Sequence, residues 1–444
     1  MNENTAKLVR TIGFWGLVAM CINAVVGSGV FLLPSETYRL LGPFSLWAPL
    51  LFAVPVFILV LCFAEAASHF NEPGGAFLYA RTAFGDFIGF ETGWMNWLAR
   101  VTSLASLSNG FVVALARLVP ELGSGALRHA TIVAMIVILA GIHLAGVRYG
   151  AASIYVFTFG KLLPLIGFIL VALIVWRSNP LPASFDVPGA GTDWNAAALF
   201  MLFAYAGFEN LGVPAGEYKN PQRHLPFALL TGILAIAAIY VLAQLGAMAT
   251  IPDLSATQTA IADAAGVLIG GAGAVIVTIG ALLSIAGTNS GTMLEGSRML
   301  YALSLGRRYV GAVGYVHPRF RTPTVAIVIH AGFALVLALA GSFVQLAMLS
   351  AVARLTTYLV TCAAVPRLRK MGSVQVLGAP VAPPEPGAPP KFRLPGGPVI
   401  PILGVMVSLA VFLSLSWFNF AAAGIALAAG ALLYLASRVP RGQV

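Results

Sequence analysis

Two apolar stretches of this chain are interrupted by residues that hydrocarbon tolerates only for a reason. In the first, Asn23-Ala-Val-Val-Gly-Ser-Gly-Val-Phe31 places Gly27 and Gly29 at the middle of the run. In the second, Phe203-Ala-Tyr-Ala-Gly-Phe-Glu-Asn210 sets an acid and an amide beside Gly207, with Pro214 following. Without Cβ atoms, Gly27 and Gly29 let the backbone unwind and let a ligand approach closely. A half-helix starting near Val30 then presents unpaired N–H groups and the positive end of its dipole to a carboxylate. Carbonyls left at the other ends of the breaks, from about Val25 and from Phe203 and Ala206, suit an ammonium group. One zwitterion satisfies both sets, which favours an α-amino acid over a sugar or an inorganic ion. The blander reading of the glycines is a packing seam of small residues.

A third chemical feature is Lys161, in Thr158-Phe-Gly-Lys-Leu-Leu-Pro164. An ammonium inside a membrane span is costly and marks a functional site by default. Snorkelling of its long side chain to the interface is the alternative.

The elements that must hold these groups follow from composition. With 59% hydrophobic and 9% charged residues and a mean hydropathy of +0.91 over 444 residues, the chain lacks the polar surface of a soluble globule. A bilayer core takes about 20 apolar residues per helix. Twelve such runs are present, near 14–40, 44–67, 84–115, 130–147, 154–176, 194–216, 227–249, 268–301, 324–341, 345–364, 399–417 and 419–437. Backbone can unwind in such a setting only where protein, a wet cavity or a ligand supplies partners. The two breaks take corresponding positions if helices 1 to 5 and 6 to 10 are repeats of opposite orientation, a common way to build a transport site.

Orientation follows from Lys and Arg, which stay on the cytoplasmic side. With the N-terminus inside, the inner segments hold Lys7, Arg10, Arg81, Arg148, Lys219, Arg223, Arg298, Arg307, Arg308, Arg319, Arg321, Arg367, Arg369, Lys370, Lys391, Arg393, Arg438 and Arg441. The outer loops hold only Arg39, Arg117, Arg128 and Arg177, so both termini are expected in the cytoplasm. The net charge of +10 is thereby assigned to topology and anionic lipid, with no nucleic acid required. The polar start, Asn2 to Arg10, and the absence of a small-residue cleavage site predict that the first span is retained.

Within the chain, Met371 to Pro390 has the Pro/Gly/Ala bias of a linker. It divides a transport core (1–365) and a cytoplasmic loop (366–398) from two last helices (399–438). The segment from Pro252 to Gly266 reads either as a short helix over the outer vestibule or as a plain loop. Cys21, Cys62 and Cys362 read as packing residues, since none has ligand spacing. No metal or other cofactor is called for. Catalysis finds no support either: there is no Gly-x-Ser-x-Gly, no His-Glu-x-x-His, and the six histidines are scattered. A channel lacks a carbonyl-filter sequence or rings of like charge.

In several further pieces the chain resembles the amino-acid/polyamine/organocation superfamily of secondary transporters, in its bacterial amino-acid permease form. These are Val26-Gly-Ser-Gly-Val-Phe31; Pro73-Gly-Gly-Ala-Phe-Leu-Tyr79 with Gly85 and Gly89-Phe-Glu-Thr-Gly-Trp94; Phe203-Ala-Tyr-Ala-Gly-Phe208 with Glu217 and Lys219-Asn-Pro-Gln-Arg223; and Ser297-Arg-Met-Leu-Tyr301. The resemblance implies an all-α integral membrane fold with a LeuT-type inverted repeat of five plus five helices and two additional C-terminal helices. It implies alternating access, with helices 1, 2, 6 and 7 moving against the remaining core.

Carried over by position, Ser28, Gly29 and Val30 would bind the substrate carboxylate through backbone N–H groups, and Val25, Phe203 and Ala206 would accept from the amine. Phe208 follows the second break, where an aromatic residue covers or lines the side-chain pocket. Glu209 departs from the neutral residue often found there, so it either attracts a cationic side chain or bonds N–H groups of the unwound segment. Ser106 and Asn109 complete a mainly apolar pocket, which puts neutral amino acids ahead of cationic ones. Lys161 would take the place of a coupling sodium, touching helix 1 carbonyls and a helix 8 hydroxyl, here Thr288. Desolvation disfavours the charged form of a buried amine, so the proton is the expected coupling partner, with ion-independent exchange as the alternative. A sensor that binds without turnover would use the same residues. The expected setting is the bacterial inner membrane.

Overall fold

The computed structural model describes residues 12–70, 74–146, 150–175, 187–189, 192–212, 218–304, 311–371 and 392–437. Pro73, Pro214, Glu217, the linker at 372–390, and Lys7, Arg10, Arg148, Arg177, Arg307, Arg308, Lys391, Arg438 and Arg441 lie outside the described residues.

The first apolar run forms two helices, α1 (Phe14–Val25) and α2 (Gly29–Leu41), bent by 46°. There follow α3 (Ala48–Ser68), α4 (Gly75–Phe84), α5 (Asp86–Ala116), α6 (Gly125–Ala145), α7 (Gly150–Val175) and α8 (Trp194–Tyr205). Beyond a 3-10 turn at Phe208–Asn210 come α9 (Pro221–Thr250), α10 (Ala260–Ile269), α11 (Gly271–Ser304), α12 (Thr324–Ala340) and α13 (Phe343–Lys370), and then α14 (Val399–Leu413) and α15 (Trp417–Ala436). Among the described residues, seven single helices, α3, α5, α6, α9, α11, α13 and α15, are long and apolar enough to cross a bilayer. The bent pair makes an eighth span, and α7, α8, α12 and α14 supply the other four apolar runs.

Burial sorts these helices. In α5 78% of the spanning window is buried, against 17% in α6 and α15, so α5 stands at the centre and the other two face lipid. Its neighbours α11 and α13 line up along it; of the broken spans, α8 packs on α13, while α1 packs mainly on α9 and α2 on α8.

One segment differs from the sequence reading, and a second resolves its two alternatives. The region from 366 is helical to Lys370, because Arg369 in its last turn grips the buried Glu65 of α3 at 2.5 and 2.7 Å. Basic residues also suit the negative end of a helix dipole. The segment after Pro252 is the helical alternative rather than a plain loop: Asp253 accepts from Ser255 N–H, and α10 begins at Ala260.

Candidate functional site

The first break is set by hydrogen bonding. Val26 N–H closes α1 on Ile22 O, and α2 restarts with Phe31 and Leu32 N–H both on Ser28 O. The residues between have no helical partner to give or take. At the second break α8 ends when Ala206 N–H bonds Phe203 O. Gly207 then adopts φ +127°, a conformation open to glycine.

The breaks touch. A Cβ on Gly207 would lie 2.5 Å from Ala24 O, and one on Gly29 would lie 3.3 Å from Ala204 Cα. Both glycines are therefore needed for close approach as well as for unwinding. On one face of the molecule the two spans are tied again, where Ile12 pairs with Tyr218 and its carbonyl accepts from Lys219 N–H at 2.8 Å.

Beside the breaks lies a cavity of about 470 Å³. One wall is Asn23, Val25, Gly27, Ser28 and Gly29; a second is Phe203, Ala206 and Gly207; the third is made by Ser103 of α5 and Thr288 of α11 with several charged residues. The cavity extends past Met20 and Tyr218 to the exposed Arg298, toward the face where α1 begins. On the opposite face it is shut: Val30, Phe31, Leu32 and Leu33 are buried, and Phe203 packs edge-on against Phe343 at 6.2 Å. Arg39 bonds Ser255 O and Thr257 O, and Tyr38 bonds Pro252 O, which straps the α10 segment over that end.

Three cavity-wall residues, Asn23, Ser28 and Thr288, each carry a buried side-chain oxygen with no hydrogen-bond partner among the described residues. An unmet buried polar atom costs about 1–3 kcal/mol, so a polar ligand gains by binding here.

Lys161 is fully buried, and its Nζ donates to Asn23 O at 2.9 Å and Val26 O at 2.6 Å. An ammonium thus occupies the carbonyl cluster at the end of α1. Snorkelling is not its fate.

Glu209 is buried and fully engaged. Its Oε1 accepts from Arg100 Nη2 at 2.7 Å and Arg354 Nε at 2.8 Å, while Oε2 accepts the Gly207 N–H at 2.8 Å. Arg354 also donates to Ser350 and Ser103, and Arg100 Nη1 lies 3.2 Å from Glu295 Oε2. A buried carboxylate persists only when paired and bonded in this way. The alternative in which Glu209 bonds the unwound segment is the arrangement seen.

Several sequence expectations need correction. Ser106 and Asn109 do not line the cavity. Ser106 donates to Phe343 O at 2.7 Å, and Asn109 bonds Ala105 O, Ala338 O and Arg128. The α5 face that reaches the cavity is Arg100, Ser103 and Leu107, at helical spacing, so residues between them point elsewhere. Phe208 is packed between Phe63 and Tyr358, at 5.4 and 5.5 Å, away from the cavity lining. Val30 lines a smaller cavity of about 20 Å³ on the closed side. Thr288 lines the main cavity, but the α11 hydroxyl on α1 carbonyls is that of Ser284, one turn earlier, at 3.3 Å from Val26 O and 3.1 Å from Gly27 O. Val25 O already accepts from Tyr240 OH at 3.4 Å and Phe203 O from Ala206 N–H, leaving each one further lone pair.

Arg100 and Arg354, charges inside spans that by sequence could bridge helices or reach an aqueous face, do both here, and with Glu295 they are cavity residues the sequence reading did not assign to the site. The signal was available: charges inside spans must pair, so a lone intramembrane Glu209 required cations from other spans.

A cavity between two broken spans in a bundle of apolar helices is an arrangement that secondary transporters use. The amino acid permease family model matches residues 16–439, and the chain belongs to that family. It is similar to the serine/threonine exchanger SteT of Bacillus subtilis, with 27% identity over 93% of this chain and 92% of the relative. It is also similar to the branched-chain amino acid permease BcaP of the same organism, with 26% identity over 96% and 93% of the two chains. The family and these relatives are membrane transporters of amino acids, not enzymes.

Proposed function

We propose that this protein carries neutral amino acids across the bacterial cytoplasmic membrane by alternating access, in symport with protons and without sodium. The carrying observation is that both helix breaks meet over one cavity while the only acid of the second break, Glu209, is consumed by Arg100, Arg354 and the Gly207 N–H. Glu209 therefore offers no free charge to a cationic side chain. Backbone N–H groups at Ser28 and Gly29 take the substrate carboxylate, and carbonyls of Val25, Phe203 and Ala206 take its amine.

Sodium independence rests on Lys161, whose ammonium sits on the Asn23 and Val26 carbonyls that a sodium ion would need. With both termini in the cytoplasm, the cavity reaching Arg298 makes this the inward-facing state. Opening outward requires release of the Arg39 and Tyr38 bonds to the α10 segment.

Ion-independent exchange is the second reading, favoured by the name of the relative SteT. Uptake by purified protein in liposomes separates the two. Symport predicts accumulation driven by an imposed pH gradient in sodium-free buffer. Exchange predicts uptake only into vesicles preloaded with amino acid. A requirement for sodium would overturn both, and absence of any flux would leave a binding-only sensor.

A further inference from the structure

We propose that Glu295 is the proton-binding group of this carrier, and that the link Glu295, Arg100, Glu209, Gly207 conveys its charge state to the second helix break. The inference rests on the symport reading and names the site of its coupling ion.

Two carboxylates and two guanidinium groups meet beside the cavity. The side chain of Glu209 is 0% exposed, whereas that of Glu295 is 32% exposed and lines the cavity. A proton arriving in cavity water therefore has access to Glu295 and none to Glu209. From Glu295 the contacts are continuous. Its Oε2 is 3.2 Å from Arg100 Nη1; Arg100 Nη2 is 2.7 Å from Glu209 Oε1; and Glu209 Oε2 holds the Gly207 N–H at 2.8 Å. Gly207 is the residue whose φ of +127° makes the break, and it leaves no room for a Cβ against Ala24 at the end of α1.

Ionised Glu295 shares Arg100 with Glu209. When a proton adds to a Glu295 carboxylate oxygen from cavity water, one of the two negative charges on that arginine is removed. Glu209 is then its sole anionic partner, and the attraction between opposite charges is strong where water is excluded. The position of Arg100, and with it the grip on Gly207, thus differs between the two charge states. The same O–H bond breaks when the carrier has turned, and the proton leaves to water on the other face. Coupling needs only that the proton bind one conformation better than the other.

The other charged or titratable groups facing this stretch of α11 are accounted for. Arg354 of α13 is bonded to Glu209, Ser350 and Ser103, Tyr358 of α13 donates to Glu209 Oε2 at 3.4 Å, and Arg298 sits one turn along at the exposed end of the cavity. His330 of α12 packs on Gly296, and His143 of α6 contacts Ser290. Lys161 of α7 is held by α1 carbonyls. Among the two histidines and Lys161, none lines the cavity.

The test compares, in the same liposomes, accumulation driven by a pH gradient with counterflow exchange in the absence of a gradient. Their ratio cancels differences in expression and in substrate affinity. Glu295→Gln should drop the accumulation ratio to about 1, the equilibrium value, so that accumulation relative to counterflow falls well below the parent's. Glu295→Asp, which keeps a carboxyl, should recover part of it. A Gln variant with the parent's ratio, or an Asp variant as deficient as the Gln one, overturns the assignment. If the Gln variant fails to reconstitute, the pH dependence of substrate binding by parent and Asp variant decides. Displaced midpoints support Glu295, and coincident midpoints overturn it. A parent that accumulates nothing on a pH gradient overturns the symport reading itself, and that result is obtained before any variant is made.

Discussion

Replacing Gly207 by Ala probes the contact between the two broken spans with the smallest possible perturbation. The added methyl would stand 2.5 Å from Ala24 O, 2.8 Å from Ala24 C and 3.2 Å from Val25 N, all backbone atoms that no rotamer change can move aside. Carbon and oxygen at a tolerable contact of about 3 Å require the breaks to separate by about half an ångström or more. Alanine at φ +127° adds backbone strain of about 1–3 kcal/mol. Sites that bind through fixed geometry tolerate about 0.5 Å, and a 1 Å misplacement can cost about a hundredfold in function. Ten- to hundredfold weaker substrate binding is therefore expected from the variant, measured by equilibrium binding to purified protein that remains monodisperse in detergent. Gly167→Ala is the control, since a Cβ there meets nothing within 4 Å. A Gly207→Ala protein that binds substrate within twofold of the parent would refute the view that the two breaks form one site.

Gly29→Leu should abolish binding while the protein still folds. Even a Cβ at that position comes within 3.1 Å of Leu33 Cδ1 and 3.3 Å of Ala204 Cα, and the rest of the side chain must go into the cavity or force the breaks apart. Retained binding would remove the first break from the site. Glu209→Gln takes the anion from the buried Arg354 and leaves Arg100 with Glu295 alone, and breaking such a buried pair costs about 3–5 kcal/mol. A lower melting temperature is expected, with neutral amino acids still preferred over cationic ones in a competition assay. Unchanged melting together with a selective change in arginine or lysine binding would show instead that Glu209 reads the substrate side chain.

The sequence disclosed the spans because hydrocarbon imposes a length and a composition that are read one segment at a time. It disclosed the breaks for a related reason. Gly27, Gly29 and Gly207 weaken a helix locally, and Glu209 and Lys161 are costly wherever an apolar run places them. Those signals need no knowledge of neighbours. The end of α13 was harder, because Pro366 and the basic residues after it resemble a loop until Glu65, from a distant span, is seen to hold Arg369.

Side-chain direction is where one-dimensional reading failed. Ser106 and Asn109 lie in the helix that lines the cavity, yet the faces of α5 are distinguished only by what packs on them. The choice between Thr288 and Ser284 turned on one helical turn of register between α11 and α1. Arg100, Arg354 and Glu295 come from spans 3, 10 and 8, and their convergence on Glu209 depends on how three helices pack around one centre. By itself the sequence determined that this protein is a bundle of membrane helices with two of them broken, since solvent preference and backbone freedom are properties of local segments. Only the tertiary structure decided that the breaks touch, that Glu209 is neutralised and that Glu295 opens on the cavity, because charge pairing and access are relations between segments far apart in the chain.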